Sequence, residues 1–193
     1  AINAATSVAV NLTNVTALVS SSFSDLETLG TSIANSEFSN VTGLTTVALS
    51  DTTIDATALA ILIDSIDTIN GGSTTNMTLA SGATINVDAA EVASLLADEA
   101  AGRLTINNQK IIVNNPITVD QANGLAATTT GVIKATIVAT ETISELGTLS
   151  ADNVTNELSI TIRTADTDVT AEQLNNISNA TSLNVDASNV TSI

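Results

Sequence analysis

The chain has 193 residues and a net charge of −16, from 20 acidic and 4 basic side chains, and contains neither Cys nor His. Disulfides, thiolate chemistry and ordinary zinc or iron sites are thereby excluded. So is the basic footprint of a nucleic-acid binder, and adsorption to anionic membranes is disfavoured.

Hydrophobic residues make up 44% of the chain but aromatics only 1%, so Ala, Val, Ile and Leu must fill the interior. Small and β-branched side chains suit a narrow, regular interior. No apolar run reaches a transmembrane length, so no membrane insertion is expected, and no signal peptide is read. The first residue is Ala rather than Met, which reads as processing or an excerpt.

Val8, Val10 and Leu12 alternate with polar residues, the period of a strand with one buried face. Leu26, Leu29 and Ile33 follow at helical spacing, and Ser24 with Glu27 fits a capping box. In "TVALSDTTIDATALAILIDSI" (46–66), a strand leads to Asp55 as the expected N-cap and a helix carrying Leu59, Leu62, Ile63 and Ile66. The segment "DTINGGSTTNMTLASGAT" (67–84) reads as a loop turning at Gly71-Gly72. "TINVDAAEVASLL" (84–96) repeats strand, cap (Asp88 with Glu91) and helix (Val92, Leu95, Leu96).

Leu104 and Ile106 mark the next strand, and the sole proline, Pro116, is expected to start another. "ITVDQANGLA" (117–126), with Asp120 as its expected cap, and the weaker "ETISELGTL" (141–149) continue the pattern. Leu158, Ile160 and Ile162 alternate as a strand; "DVTAEQLNNI" (168–177) is a helix capped by Thr170 with Gln173. Leu183 and Val185 close the series.

Anchored on Ile54, Val87, Val119, Ile143 and Val169, the pattern steps by about 24 to 33 residues, the range of solenoid units. The final phrase "NISNATSLNVDASNVTSI" (176–193) also restates the first, "AINAATSVAVNLTNVTAL" (1–18): Ile2 answers Ile177, Ala5-Thr6-Ser7 answers Ala180-Thr181-Ser182, and Asn14-Val15-Thr16 answers Asn189-Val190-Thr191. Strand and helix alternating without long linkers predict an α/β repeat, a solenoid of parallel short strands and short helices. It is β-solenoid-like or leucine-rich-repeat-like, with one continuous array of six or seven turns over 1–193. The alternative is an all-β row of immunoglobulin-like sandwiches.

Little in the sequence points to catalysis. His, Cys and Tyr are absent, which removes three of the usual acid–base groups. Asp166 with Asp168, or Asp64 with Asp67, are the carboxylate pairs a carbohydrate-active β-helix enzyme would need to converge with a cation, and Arg103 and Lys110 are the only basic residues close together in sequence. Calcium has four candidate ligands near turns, Asp51, Asp55, Asp166 and Asp168, but no EF-hand loop or glycine-aspartate nonapeptide occurs. Capping and turn chemistry accounts for the same residues.

Asn-x-Ser/Thr triplets at Asn11, Asn14, Asn40, Asn76, Asn153, Asn176, Asn179 and Asn189 are read as side-chain ladders between turns rather than glycosylation sites. The Thr clusters do not fall in the regular register of an ice-binding face.

The phrases "TTVALSDTTIDATAL", "ITVDQANGLAATTTGVIKATIVATETISELGTL" and "ATSLNVDASNVTSI" resemble the tandem repeats of giant Thr/Ala/Asn-rich cell-surface proteins of cyanobacteria, marine ones especially. They are also similar to arrays in secreted bacterial adhesins and surface-layer-like proteins. The resemblance implies an extracellular structural array secreted without disulfides. The expected function is a non-catalytic rod, filament or surface coat that self-associates end to end or laterally, with no cofactor. The alternative is an adhesin module that binds glycans or another surface.

Overall fold

Apolar positions that alternate with polar ones form short strands, and those spaced by three and four form helices. The computed structural model describes residues 8–39, 41–151 and 155–193. First come strands β1 (Val10–Asn11) and β2 (Ala17–Ser21) and helix α1 (Phe23–Ala34). Next are β3 (Phe38–Ser39), β4 (Thr46–Leu49), β5 (Thr53–Asp55) and α2 (Ala56–Ile69), then β6 (Asn76–Leu79), β7 (Thr84–Val87) and α3 (Val92–Ala100), entered by a 3-10 turn at Ala89–Glu91. β8 (Leu104–Thr105), β9 (Lys110–Val113) and α4 (Val119–Thr128) are followed by β10 (Ile133–Thr136) with α5 (Ile143–Leu146), and by β11 (Glu157–Ser159) with α6 (Ala171–Asn179). Each passage from strand into helix is called a unit below.

Every strand pair among the described residues is parallel. One sheet has the order β2-β4-β6-β8, a second β5-β7-β9-β10-β11, and β1 pairs with β3. Parallel neighbours need a crossover connection, which the helices supply. Partners are close in sequence: the extremes are Ile111 opposite Ile133 and Thr53 opposite Thr84.

Register is fixed by like side chains. Ile54, Ile85, Ile111 and Ile133 stand opposite one another across four strands, and none is more than 1% exposed. Val47, Met77 and Leu104 form a second buried column in the other sheet. A slip of one residue would turn each column out to solvent. Around these columns, one contiguous apolar cluster extends from Leu26 to Ala180.

The fold is therefore mixed α/β with parallel strands and short helices, without a closed barrel. The all-β sandwich alternative is overturned, because six α-helices lie among the described residues and immunoglobulin-like sheets are antiparallel. The Gly71-Gly72 turn is present, both residues at positive φ, but the surrounding segment is not all loop. It contains β6, where Met77 alternates inward between Asn76 and Thr78; its polar, Thr-rich text hid a strand.

Three local expectations also shift. The α1 capping box is Ser22 with Asp25, not Ser24 with Glu27. The α4 cap is Thr118 with Gln121, which places Asp120 inside the first turn. Pro116 starts no strand: Ile117 makes a single bridge to Ile137 and α4 begins two residues later. The boxes at Asp88–Glu91 and Thr170–Gln173 and the cap at Asp55 stand as read.

Candidate functional site

Polar side chains concentrate where one unit meets the next. A helix N-terminus leaves backbone N–H groups without intrahelical partners. Ser22, Thr118, Thr142 and Thr170 each accept the N–H three residues on, and the side chain there returns a bond to the cap backbone. The N–H of the first helical residue is among those left over. In three helices a carboxylate from the following unit accepts it: Asp51 Oδ2 from Phe23 at 2.9 Å, Glu141 Oε1 from Val119 at 3.1 Å, and Asp166 Oδ2 from Ile143 at 2.7 Å. Negative charge is favourable at this position. No local spacing signals these partners, which are 22 to 28 residues away.

A second set is buried. Asn70 accepts the Leu44 N–H at 3.0 Å and donates to the Leu44 carbonyl at 2.6 Å. Gln109 donates to the Ala80 carbonyl at 3.0 Å, and Thr129 donates to the Gln109 carbonyl at 2.7 Å. Asn156 accepts the Ile133 N–H at 2.9 Å; Thr181 accepts the Leu158 N–H at 3.0 Å and donates to its carbonyl at 2.7 Å. All five side chains are at most 7% exposed, and each ties its own backbone to the preceding unit. Buried polar groups need such partners.

The Asn ladder reading holds in part. Asn76 donates to the Gly102 carbonyl at 2.9 Å and Asn189 to the Ile162 carbonyl at 2.7 Å, both in adjacent units. Asn11 accepts instead from Thr13 in its own turn, Asn14 is exposed, and Asn176 and Asn179 lie on the exposed side of α6. Asn40 and Asn153 are outside the described residues.

The calcium candidates are dispersed. Asp51 holds the Phe23 N–H, and Asp55 caps α2 by accepting from Ala58 at 3.0 Å. Asp166 takes two bonds from Arg163, at 2.9 and 3.1 Å, as well as the Ile143 N–H. The Arg163 bonds, helped by the Ile143 N–H and opposed by burial, hold its carboxyl below the usual range. Asp168 is exposed and bridges to Ser192 through its backbone. Among the described residues no three His, Cys, Asp or Glu side chains gather to hold a metal ion.

The largest charged cluster surrounds Arg103. Its guanidinium pairs with Asp64 of α2 and lies 3.5 Å from Asp98 of α3. Nε faces Asp67 at 3.2 Å, at an angle that makes no hydrogen bond, so that contact is Coulombic. Burial pushes the Asp98 carboxyl up; Arg103 pulls it down, while Asp64 and Asp67 raise it further. Asp64 and Asp67 thus converge with Arg103, one of the two basic residues close together in sequence, and sequence reading missed Asp98. Lys110 stands on β9 opposite Thr84 and joins none of these ion pairs. The arrangement clamps α2 to the end of α3. A cleft of about 180 Å³ beside it is lined by Ala60, Ile61, Asp64, Glu91 and Asp98.

The described part of the repeated phrase takes one conformation twice. Val15 N–H donates to the Leu12 carbonyl at 2.9 Å, and Val190 N–H to the Ala187 carbonyl at 3.0 Å. Asn11 accepts from the Thr13 N–H at 2.9 Å, and Asp186 from the Ser188 N–H at 3.0 Å. Ile2 and Ala5-Thr6-Ser7 lie outside the described residues.

Comparison of the chain with protein-family models, curated proteins and solved structures gives no match.

Proposed function

We propose that the chain is a non-catalytic structural protein, an α/β solenoid segment of a stiff extracellular rod, filament or surface coat. The observation that carries this reading is the chain-ordered set of brackets, buried Asn, Gln and Thr inside and carboxylate caps outside, each binding one unit to its neighbour. A stack built this way gains stability with every unit added, because each buries its apolar edge on the next. Residues 1–193 form one array in this reading. The extracellular location rests on the sequence resemblance and on a composition without Cys.

The carboxylates that a glycan-cleaving site would use serve other roles. Asp64 and Asp67 are pinned to Arg103, and Asp166 to Arg163. Negative-stain electron microscopy of the purified chain tests the proposal. Filaments or a lattice are expected; dispersed single particles over a range of concentrations would overturn it.

A further inference from the structure

We infer that the groove between α1 and α2 is a docking surface for an amphipathic helix with basic flanks, supplied by a different protein. The surface lies on a single copy of the chain, so it is independent of the filament reading above and goes beyond it.

Three observations carry it. First, the groove is apolar and its lining has the period of a helix. It encloses about 910 Å³. Leu26, Leu62 and Ile66 form a buried floor, and Ile61, 63% exposed, stands on its wall. Phe23, Leu26 and Gly30 line it from α1, and Ala58, Ile61, Ser65 and Ile69 from α2, at steps of three and four. A third helix presents ridges at that same spacing. The α2 row spans about 16 Å at the helical rise per residue, which suits a helix of three turns better than a compact ligand. α1 packs on α2 and α2 on α3, so the groove lies between neighbouring units of the array.

Second, Gly30 keeps the groove open at a cost. Glycine inside a helix is less stable than alanine, and the packing does not demand it here. A Cβ at position 30 would meet only Ile69 Cδ1, at a van der Waals distance of 3.5 Å. Gly124 on α4 differs: its Cβ would fall 2.8 Å from Leu96 Cδ1, so close contact with α3 explains that glycine. What the missing side chain leaves at position 30 is room in the groove.

Third, charge selects the occupant. Glu27 and Asp64 line the groove, and none of its described lining residues is Lys or Arg. Arg103 serves three carboxylates, Asp64, Asp67 and Asp98, so that cluster stays negative. Apolar surface rimmed by uncompensated acid fits an apolar stripe flanked by Lys or Arg. A second copy cannot supply one: none of the six α-helices among the described residues carries a basic side chain.

The probe is a fluorescein-labelled peptide of Leu, Ala and Lys, about 18 residues long so that it holds a helix. It carries a Leu stripe at steps of three and four with Lys on both sides. The controls are a permuted peptide of the same composition without the stripe, and the striped peptide with Glu for Lys. Anisotropy titrations with the chain should show the striped Lys peptide binding about tenfold or more tighter than either control. Gly30→Leu fills the groove at constant charge with a better helix former, and should weaken binding about tenfold or more. Ile61→Ser should weaken it about fivefold. Glu27→Gln should weaken it about two- to fivefold and flatten its salt dependence. Glu172→Gln removes the same charge from α6 and should leave binding unchanged.

A permuted peptide that binds as well as the striped one overturns the inference, as does full binding by both Gly30→Leu and Ile61→Ser. So does failure of the parent chain to bind the striped Lys peptide at about millimolar concentration. If sedimentation shows that Gly30→Leu abolishes a self-association of the parent, a second copy fills the groove and the inference falls.

Discussion

Asp51 accepts the backbone N–H of Phe23 at 2.9 Å across 28 residues of chain, and Asp166 repeats the contact to Ile143 at 2.7 Å across 23. Each carboxylate closes an N-terminal donor that the helix's own cap does not reach. Asp51→Ala should lower unfolding stability by about 1 kcal/mol and Asp166→Ala by about 1–2 kcal/mol, the second also freeing Arg163. Urea denaturation of the two variants measures this. No change in either midpoint would mean that the brackets are incidental.

The acid response has two opposing parts. Asp166 is depressed chiefly by Arg163, Asp25 by Ser22, Glu145 by Thr142 and Asp186 by Ser188. A depressed carboxyl contributes stability above its unfolded pKa and loses it as pH falls through the folded value. These four therefore destabilise the fold below the ordinary carboxylate range. Asp98, raised by burial, has the opposite sign: its ionised form costs stability, and protonation relieves the cost as pH falls through its folded value. Urea midpoints measured from about pH 7 down to about pH 3 should show Asp166→Asn less stable than the parent at neutral pH and less sensitive to acid. Asp98→Asn should be at least as stable as the parent at neutral pH. An Asp98→Asn loss as large as that of Asp166→Asn would refute the assignment.

Ile85 lies between Ile54 and Ile111 and is fully buried. Ile85→Ala should cost about 2–5 kcal/mol, and Ile111→Val about 0.5–1.5 kcal/mol. Ile61→Ala, at a position 63% exposed, should stay within about 0.5 kcal/mol. Equal effects at Ile85 and Ile61 in thermal or urea unfolding would disprove the column as the centre of the core.

Removing Asn156 leaves the Ile133 N–H buried without its acceptor. Asn156→Ala should cost about 1–3 kcal/mol, and amide exchange at Ile133 should accelerate relative to Ile111. Gly131→Ala tests the same seam from the backbone side, since a Cβ there would overlap the Gln109 carbonyl. It should destabilise more than Gly82→Ala, which meets nothing, even though Gly82 has positive φ. The reverse order would show that the seam tolerates separation.

Periodicity made the helices legible: Leu59, Leu62, Ile63 and Ile66 all face inward on α2, as their spacing requires. The caps at Asp55, Asp88 and Thr170 were readable because cap spacing is local, reaching only three residues along the chain. The first helix was misjudged by two residues because Ser22-Asp25 and Ser24-Glu27 fit that box equally well. β6 was missed because Thr and Asn on its outer positions resemble loop text. The unit-to-unit brackets were not readable at all: Asp51 and Phe23 meet only because stacking brings them together, and nothing near either residue encodes the 28-residue interval. The Arg103 cluster was half legible, through Asp64 and Asp67 one helical turn apart; Asp98 comes from a different helix.

The isoleucine column also bears on how such a chain changes length. Excising Ile85 to Lys110 would bring Ile111 against Ile54, the same residue meeting the same residue on the same face. The column keeps its register when the cut is a whole unit. Loss of an entire unit therefore keeps the column in register at the cost of that unit's own contacts, among them the Arg103 ion pairs and the Gln109 bond, whereas gain or loss of a single residue within a strand shifts the register itself. A change of length by one whole unit is thus a question of stability, and a change by one residue is a question of register.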